Sequence, residues 1–187
     1  NECIEDVWKT LVKYTSKTSI ECHKSIYLGL TNILEANSEH EFELNVPLEA
    51  LKNDLTQKIT QEAALIFVYQ FAESDDKNAN KLNDSELFET LFSIDNENAK
   101  NAAVILMHLA DKNQELAEKI LNCQNGTWML VPHPDASYTL RIFLTIFSYE
   151  NLRNQITEMK NFVPFLIYCM ERLSSPGIIT IITAIVR

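Results

Sequence analysis

Turn-forming residues are scarce in this chain, with three glycines and five prolines among 187 residues. That is too little turn material for a fold of many short strands, and it favours helices. Basic residues are outnumbered as well. Sixteen Lys and Arg stand against 26 Asp and Glu, a formal charge of −10. This balance argues against phosphate-backbone binding and repels an anionic membrane. No run of 18 apolar residues is present, so no segment reads as a membrane-spanning helix. Phosphate-cradling GxGxxG loops and HExxH motifs are missing too. Four cysteines, Cys3, Cys22, Cys123 and Cys169, are scattered without metal-ligand or disulfide spacing. They read as reduced, mostly buried thiols of a cytoplasmic or nuclear protein. No cofactor and no metal site is expected.

Apolar residues make up 46% of the chain, enough for a large core. Their arrangement recurs. Asn32-Ile33, Gln70-Phe71, His108-Leu109 and Thr145-Ile146 each set one polar residue near the end of an apolar helical stretch, at intervals of 38, 38 and 37 residues. Another aliphatic residue follows eleven residues after the apolar member: Leu44, Leu82 and Ile120, with Ile156 one residue early in the fourth copy. Such a period marks stacked helical repeats, whose units bury their apolar faces only against neighbours.

The periodicity predicts helices over residues 2–15 and from Thr18 to about Ala36, the second opened by a capping box of Thr18 and Glu21. Pro47 suits the first turn of a helix carrying Leu48, Leu51 and Leu55. Thr60 opens a helix through Ala72, and short helices carry Leu82 and then Leu87 to Phe92. A long helix from Asn96 to Ala110 precedes one through Ile120 and Leu121, which Asn125-Gly126 ends. Helices at about 136–148, 151–159 and 161–173 form the last full copy. The apolar stretch Ile178 to Val186 reads as the long helix of a fifth unit. The expected organisation is one repeat domain over 1–187, with units near 1–44, 45–82, 83–120, 121–156 and 157–187, as a fragment of a larger protein. The start at Asn1 leaves a removed leader open. The sequons at Asn83 and Asn125 carry little weight in an intracellular chain.

At these residues the chain resembles the armadillo family of helical repeats and the related HEAT type. Asn96 to Ile120 and Ser137 to Ile167 follow that family's order of long helix, polar turn, short helix and proline-led helix. Asn161-Phe162-Val163-Pro164-Phe165-Leu166-Ile167 matches the start of its second helix. The resemblance implies an all-α fold, a right-handed α-solenoid, whose third helices line a concave groove that binds a partner segment. It places Asn32, Gln70, His108 and Thr145 in that groove, with Leu28, Ile66, Val104 and Arg141 one turn earlier. The family's tryptophan at that earlier position has no counterpart here, and the period is shorter than the family's.

These residues point to a non-catalytic protein–protein interaction module. A ladder of polar residues that only stabilises adjacent helices would use the same positions. Acidic residues recur after each long helix: Glu35, Glu39, Glu41 and Glu43; Glu73, Asp75 and Asp76; Asp111; Glu150. Carboxylates there oppose the helix dipole and could form an edge that attracts a basic protein or peptide. A solvated rim is the plainer reading. A structural scaffold or self-association segment is the alternative function, and a compact helical bundle with a small-molecule site is the second. Enzyme chemistry lacks convergent groups. Cys22 beside His23 reads as a buried cysteine next to a surface histidine, because adjacent helical residues diverge by about 100°. His40, His108 and His133 are far apart.

Overall fold

The computed structural model describes residues 2–37, 45–130, 136–172 and Thr183. Among the described residues there are eleven α-helices, one 3-10 segment and no strand. They divide into two compact units, Asn1–Ile94 and Asp95–Arg187. The expected helix over Ile178–Val186, the residues Glu39 to Leu44, and His133 lie outside the described residues, apart from Thr183. No described helix is long and apolar enough to cross a membrane.

The first unit holds α1 (Glu2–Tyr14), α2 (Ile20–Ala36), α3 (Leu48–Leu55), α4 (Gln61–Ser74), α5 (Asp76–Lys81) and α6 (Ser85–Phe92). Its centre is α4. Ala63, Ala64, Leu65, Phe67, Val68, Phe71 and Ala72 are all buried, so this helix is enclosed around most of its circumference. Phe67 stacks among Trp8 of α1, Tyr27 of α2 and Phe71, with ring centroids 6.0, 5.5 and 5.6 Å away. Offset aromatic contacts at this range add to the gain from buried area. The Trp8 indole donates to the carbonyl of Asn45 at 3.2 Å, so its one polar atom is satisfied. Lys52 ties α3 to α6, its ammonium 2.8 Å from Glu49, 2.6 Å from Glu86 and 3.8 Å from Asp84. The bonds to Glu49 and then Glu86 hold that ammonium above its ordinary pKa.

The second unit holds α7 (Ala99–Lys112), α8 (Gln114–Asn122), the 3-10 segment Cys123–Leu130, α9 (Ala136–Phe147), α10 (Glu150–Glu158) and α11 (Phe162–Arg172). Phe143 is its aromatic hinge, 4.8 Å from Phe165 and 6.1 Å from Phe162. Helices α7 and α9 pack along their lengths. Tyr149, just past α9, donates to the carbonyls of Ala110 and Asp111 at 3.0 and 3.1 Å, so the two helices end together and run the same way. Asn151 donates to Gln114 at 3.2 Å. These bonds join residues 37 to 39 apart in sequence, close to the interval between the polar marks. The helix expected to end at Asn125-Gly126 stops earlier, at Asn122 with Cys123 as its C-cap, and Gly126, with φ of 74°, lies inside the 3-10 segment. A Cβ there would meet the tip of the flexible Met159 side chain, which can move aside, so it is the positive φ that favours glycine.

Several helix starts differ from the capping expected of them. Helix α2 begins after Ser19, which makes no side-chain cap bond, and the Thr18 hydroxyl donates instead to the Tyr14 carbonyl at the end of α1, at 2.8 Å. The Glu21 carboxyl is held below its ordinary pKa by the Ser19 hydroxyl and then its own backbone amide, so the expected capping box does not form. Thr60 behaves like Thr18: its hydroxyl donates to the Asp54 carbonyl at the end of α3, at 2.7 Å. In such short turns the open carbonyls of the preceding helix take the hydroxyl before the next helix can use it. Side-chain caps form at Asp75, Asp84 and Asn113, which accept from Lys77, Leu87 and Leu116.

Candidate functional site

Each long helix keeps a row of residues on one face in contact with solvent. On α4 the stripe is Glu62, Ile66, Gln70 and Glu73, with Gln70 half-buried and the others exposed. On α2 it is Lys24, Leu28, Asn32 and Glu35, all exposed. Within each stripe the residues follow at i, i+4, i+8 and i+11, which keeps them on one helical face. On α7 the same positions hold Lys100, Val104, His108 and Asp111, and on or just past α9 they hold Ser137, Arg141, Thr145 and Ser148. Corresponding positions are 38, 38 and 37 residues apart.

The polar marks therefore share one location on every long helix, together with the residue one turn earlier. In the first unit Leu28 and Asn32 stand on α2, and Ile66 and Gln70 on α4, two helices that pack together. Leu28 and Ile66 each keep 40% of their surface exposed, although most aliphatic side chains on these helices are buried. In the second unit Val104 and His108 stand on α7, with Arg141 and Thr145 on the adjoining α9. There the chemistry is weaker for recognition. The Thr145 hydroxyl is spent on the Arg141 carbonyl at 3.1 Å, and His108 is half-buried. Lys24, Glu62 and Lys100 complete the stripes and were not foreseen, although the same 38-residue interval connects them.

The acidic edge separates into two groups. Asp75 is the N-cap of α5, where its carboxylate accepts from Lys77 at 3.0 Å. Asp76 and Glu150 lie in the first turns of α5 and α10. Negative charge at a helix start is favourable, so all three gain at the helices they open, contrary to expectation, although Asp75 is at once the C-cap of α4 and the N-cap of α5. Helices α4, α7 and α9 are separated from their successors by only one or two residues, which places an acid past one helix at the beginning of another. Glu35, Glu73 and Asp111 remain in the last turns of α2, α4 and α7. Each is exposed and closes a stripe.

A second polar constellation lies inside the first unit, and it reverses the expectation for Cys22 and His23. Cys22 is exposed, and His23 is buried at 7%. The residue after the cysteine, one step around α2, is the one that faces α3. His23 Nδ1 lies 2.8 and 3.0 Å from the carboxylate oxygens of Asp54, and the Tyr27 hydroxyl donates to Asp54 at 2.7 Å. Asp54 is fully buried. A histidine–aspartate pair resembles half of a nucleophilic triad. The neighbouring thiol does not adjoin it: Cys22 meets the Ser19 hydroxyl at 3.8 Å. The set fastens α2 to α3. Burial first, and then the bond to Asp54, push the Tyr27 phenol far above its ordinary range. Residues 27 and 31 positions apart in sequence meet here, with no motif to announce it. Of the other thiols, Cys123 and Cys169 are buried, and burial pushes Cys169 up to about 12.

No protein-family model matches the chain, and no curated protein and no solved structure matches it either.

Two outcomes follow for stability. Above pH 10 the unfolded chain surrenders the Tyr27 proton while the folded chain keeps it, so stability falls as pH rises. The slope from one such phenol approaches about 1.4 kcal/mol per pH unit. Chemical denaturation of Tyr27→Phe across the alkaline range should give a lower starting stability, by about 1.5–3 kcal/mol, and a shallower decline. The acids should respond with opposite signs. Asp75→Ala should cost about 0.5–2 kcal/mol, whereas Glu35→Gln should gain about 0.3–1 kcal/mol, both read from denaturant midpoints at constant m.

Proposed function

We propose that this chain is a non-catalytic protein-interaction module, built as a right-handed armadillo-like α-solenoid, that binds an extended partner segment along its long helices. The observation that carries this reading is the recurrence of solvent-facing stripes at 38, 38 and 37 residues on α2, α4, α7 and α9. Repeats that stack side by side offer a partner one equivalent position per unit, and affinity accumulates along the array. The amides of Asn32 and Gln70 each offer donors and an acceptor to a partner's backbone. Leu28 and Ile66 supply apolar contact one turn away. His108, Thr145 and Arg141 extend the same register with other chemistry.

A scaffold or self-association role is the second reading. It is favoured by α11, which leaves Val163, Ile167 and Met170 exposed on one face, at i, i+4 and i+7. Sedimentation equilibrium of the wild type and of Ile167→Glu separates this reading from the first. A wild-type dimer that the substitution dissociates would favour self-association.

The principal test compares wild type with the double variant Asn32→Ala and Gln70→Ala in quantitative isotope-labelled capture from cell extract. Partners retained by wild type should be lost from the double variant. The melting temperature should change little, because surface substitutions of this kind shift stability by about 0.5 kcal/mol or less. Unchanged capture with a lowered melting temperature would leave these residues as structural and would sink the proposal.

A further inference from the structure

We infer that a second copy of this chain docks on the outer face of α1, the two helices antiparallel about a two-fold axis near Thr10. This goes beyond the reading of the long helices and uses a different surface. Helix α1 has two sides. Trp8 and Thr15 are buried against the unit, with Ile4, Leu11 and Val12 half-buried beside them. Away from them Cys3, Val7, Thr10 and Tyr14 are exposed, Val7 at 46% and Tyr14 at 48%. These four follow at i, i+4, i+7 and i+11, the spacing of a seam between two helices. An open hollow of about 490 Å³ lies against the first part of the seam, lined by Cys3, Asp6, Val7, Thr10 and Leu11.

The charges beside the seam choose its occupant. Asp6 and Lys13 are both exposed and stand seven residues apart, which puts them on one flank of the seam. Their separation along the axis is about 10 Å. Lys9 is engaged by Glu5 at 3.6 Å, but no ion pair among the described residues uses Asp6 or Lys13. An acid followed by a base is its own complement when the helix is turned end for end. One two-fold axis midway between them sets Asp6 of each copy beside Lys13 of the other, and both pairs form together. The same operation seats Val7 of each copy between Thr10 and Tyr14 of the other and brings the Tyr14 ring to the hollow.

Other arrangements fit less well. A parallel pair would set Asp6 beside Leu11 of the second copy and give it no cation. A partner of another sequence would need the same order in reverse, which a second copy has by construction. The acid-first order also suits the helix dipole, but that effect fades beyond the end turns and gives no reason for Val7 and Tyr14 to stay exposed. A contact between two helices of 13 residues is small. It falls short of the roughly 1,200–2,000 Å² of stable complexes, so the dimer is expected at micromolar rather than nanomolar protein. The net charge of −10 opposes the approach of two copies, and about 0.15 M salt screens it beyond about 8 Å.

Sedimentation equilibrium in that salt, from about 10 μM to about 1 mM protein, tests the inference through charge swaps. Wild type should dimerise as its concentration rises. Asp6→Lys and Lys13→Asp each set like charges across the axis and should each weaken the dimer about tenfold. An equal mixture of the two variants should recover wild-type association, since each supplies the charges that the other lacks. The double swap Asp6→Lys/Lys13→Asp should recover it as well. Recovery on mixing also excludes misfolding of either variant. Ile167→Glu should leave this dimer intact, which separates it from association through α11. With Cys3 and Cys22 replaced by serine, Thr10→Cys should form a linked dimer under added oxidant, whereas Lys9→Cys should not. A chain that stays monomeric throughout would overturn the inference, and so would a dimer that neither swap weakens. Weakening by both swaps with no recovery on mixing and no link at Thr10→Cys would overturn it too.

Discussion

Helix α4 is apolar around nearly its whole circumference, and a helix of that kind is stable in water only when neighbours enclose it. This constraint organises the first unit. Helix α1 supplies Trp8, α2 supplies Tyr27, and α3 supplies Leu51 and Leu55, all essentially inaccessible to solvent. The rings of Trp8, Tyr27, Phe67 and Phe71 interlock at centroid distances of 5.5–6.1 Å. The His23–Asp54–Tyr27 set adds polar fastening at the junction of α2 and α3. Its value depends on completeness, because a buried carboxylate left without partners costs several kcal/mol. Within the second unit α7 and α9 solve the same problem, with Phe143 in the role of the central ring.

Enclosure also decides what is left outside. When neighbours enclose α4, one strip of it stays in contact with water, and α2 beside it keeps a broader exposed face that includes Leu28, Asn32 and Glu35. Its composition is under no packing constraint. Solubility alone would be served by charged residues throughout. Leu28 and Ile66 at 40% exposure, followed by amides and glutamates in matching order, are the departure that an interaction face would explain. Lone exposed aliphatic residues are ordinary on protein surfaces. Two at equivalent positions on adjoining helices are the part that recurrence adds.

Much of the helical plan was legible in the sequence, because long apolar stretches with a constant interval leave few alternatives. The positions of α2, α4, α7 and α9, and the burial of Leu82, Ile120 and Ile156 at the following short helices, are read from that interval. Local chemistry at the junctions was less legible. Thr18 and Thr60 precede helices and look like caps, yet their hydroxyls go to the carbonyls of the helix before. Asp75 looks like an acid past the end of α4 and is the cap of α5. A side chain between two helices serves whichever one leaves a backbone group open, across five residues at Thr18 and Thr60 and a single residue at Asp75, so reading each helix alone misplaces it. Cys22 and His23 were assigned to the wrong sides because a shift of one residue turns a helix by about 100°. The Asp54 contacts depend on tertiary packing, which no local pattern encodes. Of the candidate site, the polar marks were visible as a series, and their joining with Glu35 and Glu73 into one stripe required the helix ends.

Recognition along the long helices depends on α4 having a single solvent-facing stripe. Thiol reactivity measures that directly, in a background where the exposed Cys3 and Cys22 are replaced by serine. Single cysteines placed along α4 should react rapidly with a maleimide at positions 62, 66, 70 and 73. Those at 63, 64, 67, 68 and 71 should react only as fast as the protein opens. Uniform reactivity around the helix, or protection of position 66 together with exposure of position 67, would contradict it.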